Sequence, residues 1–236
     1  LWNLKDILKI QQESLPTGIF REMRHYSIPV LLFTIAITLL GNIDIVLVRH
    51  YCSPVEAGLY SIAAILGRVA LVLPGTLVSV LFPSAAKAQS TGEKGDYILW
   101  ISMGLTLTLA GSIAFLFFQW PVESITLFFG SQYQEAAPML QVISIAMALL
   151  ACTNIIFSYS LARSEFNFLW LLCGGVVLML GGIFLFHDTA ITIAKLVLLS
   201  IGIIFAGTLV WLALKKPYSP PITSPDSKIQ KTENPG

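Results

Sequence analysis

The sequence predicts an all-α integral membrane protein with six transmembrane helices, and three observations carry that prediction. Six apolar stretches, 29–48, 57–82, 97–118, 139–162, 168–186 and 190–214, are each close to the roughly 20 residues that a helix needs to cross a bilayer core. Of the 236 residues, 56% are hydrophobic and 11% charged, roughly half the charge of a soluble domain, and the mean hydropathy is +0.79. Lysine and arginine also fall in alternate polar breaks. The formal net charge of +1 gives no electrostatic reason to expect a nucleic-acid partner.

The charges set a predicted topology. Lys5, Lys9, Arg21 and Arg24 precede the first span, Lys87 and Lys94 separate spans two and three, Arg163 separates four and five, and Lys215, Lys216, Lys228 and Lys231 follow six. The opposite breaks hold Arg49 alone, since 119–138 and 187–189 contain no lysine or arginine. By the positive-inside rule both termini are expected in the cytoplasm. Trp100, Trp170 and Trp211 then mark the inner headgroup level, and Trp120 and Tyr133 the outer.

Residues 1–27 read as a cytoplasmic amphipathic connector. Leu1, Leu4 and Leu8 share one helical face beside Lys5 and Lys9, and the chain looks like a segment entered midway. No secretory signal is expected, because the first apolar run starts late and is full length. In the first span Asp44 lies near the outer end, and Arg49 follows it at the predicted outer surface.

The second span is the least uniform. Arginine at mid-span costs about 2.5–3.5 kcal/mol on insertion scales, so Arg68 should face a partner or a watered cavity. Two readings follow: a functional cation in a cavity, or a structural ion pair with Asp44. The predicted span ends leave a vertical offset of roughly 10 Å between them at about 1.5 Å per residue, barely within an arginine's reach. Asp44 reads as the partner in that pair or as an ion-coupling carboxylate. Pro74 removes a backbone donor and Gly75 permits motion, so this pair marks a hinge or a static kink.

The break at 119–138 combines Pro121, a short apolar run and Gly130, and predicts a short interfacial helix. Glycines seven apart, Gly104 with Gly111, Gly174 with Gly181 and Gly175 with Gly182, suggest close helix packing. Lys195 sits near the outer end of span six, where its stem can snorkel. Residues 215–236, rich in Pro, Ser, Thr and Lys, are expected to form a disordered cytoplasmic tail. Three scattered cysteines and histidines 25, 50 and 187 offer no metal-ligand spacing, and no nucleotide phosphate loop, cofactor site or enzyme active site is expected.

The stretch 41–88 resembles the start of the C-terminal lobe of polysaccharide flippases in the multidrug, oligosaccharidyl-lipid and polysaccharide exporter superfamily. The resemblance rests on Ile43-Asp44, on Gly58 with Tyr60 and Ser61, and on Leu81 to Pro83, with Phe129, Gly130, Tyr133 and Ala136 similar to a later family motif. It implies one six-helix lobe of a two-lobed exporter, multi-pass in the cell inner (plasma) membrane. The partners implied are an N-terminal lobe, in the same longer chain or a separate subunit, membrane lipid, and a polyprenyl-pyrophosphate-linked oligosaccharide such as an O-antigen or lipopolysaccharide precursor. Transport by ion-coupled alternating access would then place Arg68 and Arg49 in a cationic cavity for the pyrophosphate. A multidrug exporter half and a non-transporting scaffold of polysaccharide assembly are the alternatives.

Overall fold

The computed structural model describes residues 17–75 and 96–214, all of whose regular elements are helical. In chain order these are α1 (Thr17–Tyr51), α2 (Pro54–Gly67), α3 (Asp96–Gln119), α4 (Pro121–Phe129), a 3-10 turn (Ser131–Ala136), α5 (Ala137–Ala162), α6 (Phe168–Leu185) and α7 (Ala190–Leu214). Six helical segments are long and apolar enough to span a membrane. The protein is a multi-pass helical membrane protein. The Leu1–Lys9 face, residues 76–82 of the second predicted span and the predicted tail lie outside the described residues.

Hydropathy located the crossing segments better than the helices that contain them. α1 begins at Thr17, well before Pro29, because a helix needs compatible backbone rather than apolar side chains; only Tyr26–Tyr51 is a candidate span. α2 starts at Pro54, earlier than the predicted 57. Ser53 caps it by accepting the Glu56 backbone N–H at 3.3 Å, and Pro54 fills the first turn, where its missing N–H is harmless. The helix breaks at Arg68 and resumes over 69–75, a stretch that includes Pro74 and Gly75. Gly130 has φ 98°, a left-handed conformation that divides α4 from the 3-10 turn and that L side chains rarely adopt.

α5 is the hub. Two thirds (67%) of its apolar window is buried, against at most 39% in any other span. It packs on α2, α3 and α7, while α6 lies against α1 and α7. The core includes Leu40, Tyr60, Leu140, Ile143, Met147, Leu150, Phe157, Phe168 and Val197. Phe157 stacks on Phe168 at 4.7 Å between centroids, and Phe33 meets the same ring edge-on at 6.0 Å.

Several hydroxyls inside this bundle are satisfied locally, whereas the buried Thr106 hydroxyl has no partner among the described residues. Thr153, Ser160 and Thr208 donate to the carbonyls of Leu149, Ile156 and Ile204, one turn back. Gln141 at the start of α5 donates to the Phe118 carbonyl at 2.9 Å, satisfying a group that the end of α3 would leave unpaired. Close approach falls on one of the glycines the spacing singled out, Gly175, and on two it did not, Gly67 and Gly207. A Cβ at Gly67 would meet Ile143 Cγ2 at 2.7 Å, one at Gly207 would meet Leu171 Cδ1 at 2.8 Å, and one at Gly175 would collide with Ile204. Gly182 has an ordinary contact with Leu196, whereas Gly104, Gly111, Gly174 and Gly181 face open space among the described residues. A seven-residue spacing puts glycines on one face, but the neighbouring helix decides whether that face is covered.

Candidate functional site

α1 and α2 are joined by a two-residue turn and run back antiparallel, which brings Asp44 and Arg68 onto facing sides. Arg68 Nη2 donates to Asp44 Oδ1 at 2.7 Å, and Arg68 Nε donates to the Gly41 carbonyl at 2.7 Å. The Tyr60 hydroxyl donates to Asp44 Oδ2 at 2.8 Å. Asp44 and Tyr60 have no exposure, and the Arg68 side chain keeps 15%.

The offset inferred from span ends closes because helical side chains lean toward their own N-terminus. In α1 that direction leads away from the turn, and in α2 toward it, so the two side chains reach for one another. The ion-pair reading of Arg68 and Asp44 is therefore realised in the geometry. It does not use up the guanidinium: of five N–H donors two are engaged with Asp44 and Gly41, and the others have no partner among the described residues.

Arg49 is placed differently. It is exposed, makes no ion pair among the described residues, and lines a cavity of about 340 Å³ with Pro54, Ala57, Gly58 and Ser61. Arg68 does not line that cavity. The structure thus brings Asp44 to Arg68 and Arg49 to Ser61, but does not gather both arginines into one enclosure.

The sequence reading missed a larger pattern on α1. At about 100° per residue, Ser27, Thr34, Thr38, Asn42 and Arg49 fall within an arc of about 80°, interrupted only by Leu31 and Ile45. All five are exposed. The adjoining part of the exposed surface carries Ile28, Leu32, Ile35 and Val46, 44–60% exposed, so polar and apolar residues divide that surface lengthwise. Gly41 and Asp44 lie next to the polar arc on the side of α2, whose Ser61 and Arg68 continue the polarity two turns apart. Thr34 donates to the Val30 carbonyl and Asn42 to the Thr38 carbonyl, which leaves their oxygens as acceptors at the surface. A helical-wheel reading of 26–51 would have found this stripe; hydropathy averages it away.

Hydrocarbon has no use for such a stripe. In a membrane-spanning helix, exposed polar residues in register face a water-filled cavity or another polypeptide. No group of three or more His, Cys, Asp or Glu gathers among the described residues to hold a metal ion.

Among the described residues, fold and site together define a helical membrane protein with six candidate spans and a polar flank that carries Arg49 and Arg68. Sequence comparison then places it: the family of polysaccharide biosynthesis proteins matches residues 10–138, more than half of the chain, and this protein belongs to that family. No curated protein and no solved structure matches it. The matched stretch contains α1, α2, the ion pair, Arg49 and the 3-10 turn, and so includes every residue of the site.

Proposed function

We infer that this chain is one lobe, the C-terminal one, of a two-lobed exporter that moves a polyprenyl-pyrophosphate-linked oligosaccharide across the plasma membrane for surface polysaccharide biosynthesis. The observation that carries the reading is the polar arc of α1, ending at Arg49 and flanked by Arg68. A pyrophosphate entering a low-dielectric space needs fixed cations and hydrogen-bond donors, and an oligosaccharide needs polar groups along its path. A second lobe facing this flank would enclose it, with ion-coupled alternating access and a hinge around Pro74 and Gly75 exposing it to each side in turn. The multidrug alternative is less well supported, because Asp44, the acid deepest in α1, is already bonded to Arg68 and Tyr60 rather than open to a cationic drug.

Arg49 offers the cleaner test, since its replacement strands no buried partner. Binding of polyprenyl pyrophosphate to the full chain in nanodiscs should weaken by about tenfold or more in Arg49→Gln, as for the loss of one charge-assisted hydrogen bond. Cells lacking their own flippase and supplied with an N-terminal lobe should lose surface polysaccharide with the same substitution at equal membrane abundance. Unchanged binding and export would refute the cationic-cavity reading; unchanged binding with lost export would favour a scaffold.

A further inference from the structure

Beside the Arg49 cavity lies a second one of about 420 Å³, between α2 and the 3-10 turn. Its lining includes Val55, Ile62, Gln132, Tyr133 and Glu135, and it shares Pro54 and Gly58 with the first. Pro54 and Gly58 thus stand in the walls of both, with the Arg49 guanidinium lining only the first cavity and the Glu135 carboxylate only the second. The volume falls within the range of about 300–1,000 Å³ common for small-molecule clefts.

The polar groups on the 3-10 side are uncommitted. Gln132 and Glu135 are exposed and Tyr133 is half-buried, and none of the three side chains hydrogen-bonds a described residue. By contrast Gln134, between them in sequence, donates to Thr126 Oγ1 at 3.3 Å. The 3-10 turn, with three residues per turn, puts Gln132 and Glu135 on one side. Apolar walls from α2, an aromatic residue, an amide and a carboxylate make a lining that suits a sugar ring, whose faces are apolar and whose edge carries hydroxyls. Glu135 would repel a phosphate, so an anionic headgroup belongs at the Arg49 end and donor-rich groups at this end.

We propose that this second pocket is a saccharide subsite, which takes the sugars next to the pyrophosphate and favours neutral or amino sugars over uronic acids. The assignment rests on the function inferred above: one ligand with an anionic linker joined to hydroxyl-bearing rings matches two adjoining cavities, the first lined by Arg49 and the second by Glu135. Gln132 and Tyr133 supply hydrogen bonds to hydroxyls, and the Glu135 carboxylate accepts from hydroxyl or amino groups while disfavouring a sugar carboxylate.

The test measures binding of three probes to the full chain in nanodiscs: polyprenyl pyrophosphate, the same lipid bearing a neutral N-acetylhexosamine disaccharide, and the same lipid bearing a uronic-acid disaccharide. The neutral disaccharide lipid should bind about tenfold more tightly than the bare lipid, and the uronic-acid lipid more weakly than the neutral one. Gln132→Ala with Tyr133→Phe should abolish the gain without changing affinity for the bare lipid, and Glu135→Gln should remove the discrimination against uronic acid. A neutral disaccharide that adds no affinity, or a gain that survives the substitutions, overturns the subsite while leaving the pyrophosphate reading standing. Sugar-dependent binding without affinity for the bare lipid supports the subsite and overturns the pyrophosphate reading, and failure of all probes to bind overturns both. Loss of export with unchanged binding of all three lipids would assign the pocket to the partner lobe and overturn the proposal.

Discussion

Replacing Asp44, Tyr60 and Arg68 separates what their cluster does for the fold from what Arg68 does for a ligand. Removing one partner of a buried ion pair typically costs about 3–5 kcal/mol, because the other charge is stranded. Arg68→Leu leaves Asp44 with no exposure and only the Tyr60 hydroxyl as a side-chain donor, so it should fall at the upper end, about 5 kcal/mol. Asp44→Leu leaves a guanidinium that is 15% exposed and still bonded to the Gly41 carbonyl, so it should fall near the lower end, about 3 kcal/mol. Replacing both charges while also making Tyr60→Phe strands nothing, and an apolar substitute for a buried pair is often neutral or better. The triple variant should therefore lie within about 2 kcal/mol of the parent. Reversible unfolding in mixed detergent micelles, followed by far-ultraviolet circular dichroism, measures these differences. A triple variant as unstable as the two charge-removing variants combined would show that the cluster is not energetically coupled and would refute the argument. If the triple variant is stable, it also becomes a folded protein without the Arg68 cation. Its affinity for polyprenyl pyrophosphate should drop by about tenfold if the remaining guanidinium donors reach the ligand, and should match the parent if Arg68 is purely structural.

Two further outcomes are expected. Cys52, in the turn between α1 and α2, has its thiol pKa pushed upward by partial burial and then by the neighbouring Glu56 carboxylate, both of which disfavour the thiolate. Its maleimide reactivity should therefore rise with pH through a midpoint above the ordinary thiol range, Glu56→Gln should lower that midpoint, and a membrane-impermeant maleimide should label Cys52 in intact cells if the turn faces outward. At Gly67, a methyl group would meet Ile143 Cγ2 at 2.7 Å and the Ser144 backbone nitrogen at 3.3 Å. Gly67→Ala should accordingly destabilise the bundle by about 1–3 kcal/mol in the same unfolding assay despite alanine's better helix propensity, while Gly104→Ala, with nothing in reach, should not.

How much of this protein could be read from its chain follows from the range of the forces involved. Spanning a bilayer is a property of each segment by itself, since every backbone group must be bonded within its own helix and every lipid-facing side chain must tolerate hydrocarbon. The six apolar segments therefore showed the all-α membrane class. Arg68 stood out for the same reason, because a charge at mid-span is costly whatever its neighbours are. The polar arc of α1 was also present in the sequence as a period of helical turns, but averaging hydropathy over a window hides a stripe only one side of the helix wide.

Other features depended on which helices meet. Nothing along 137–162 marks α5 as the hub, because its composition resembles that of the other spans; its burial arises from contacts with α2, α3 and α7. The spacing of glycines likewise could not distinguish Gly175, pressed against Ile204, from Gly174 beside it, which faces open space. Helix rise alone left the Asp44–Arg68 pair barely within reach, and the opposed lean of side chains on antiparallel helices closes the gap that backbone heights leave open. The order of charge from Arg49 to Glu135, 86 positions apart in the chain, exists only once the 3-10 turn packs beside α2. Local chemistry could identify a membrane helix and a costly charge, whereas the partner of that charge and the walls of the two cavities are pairwise properties that the packing of separate segments creates.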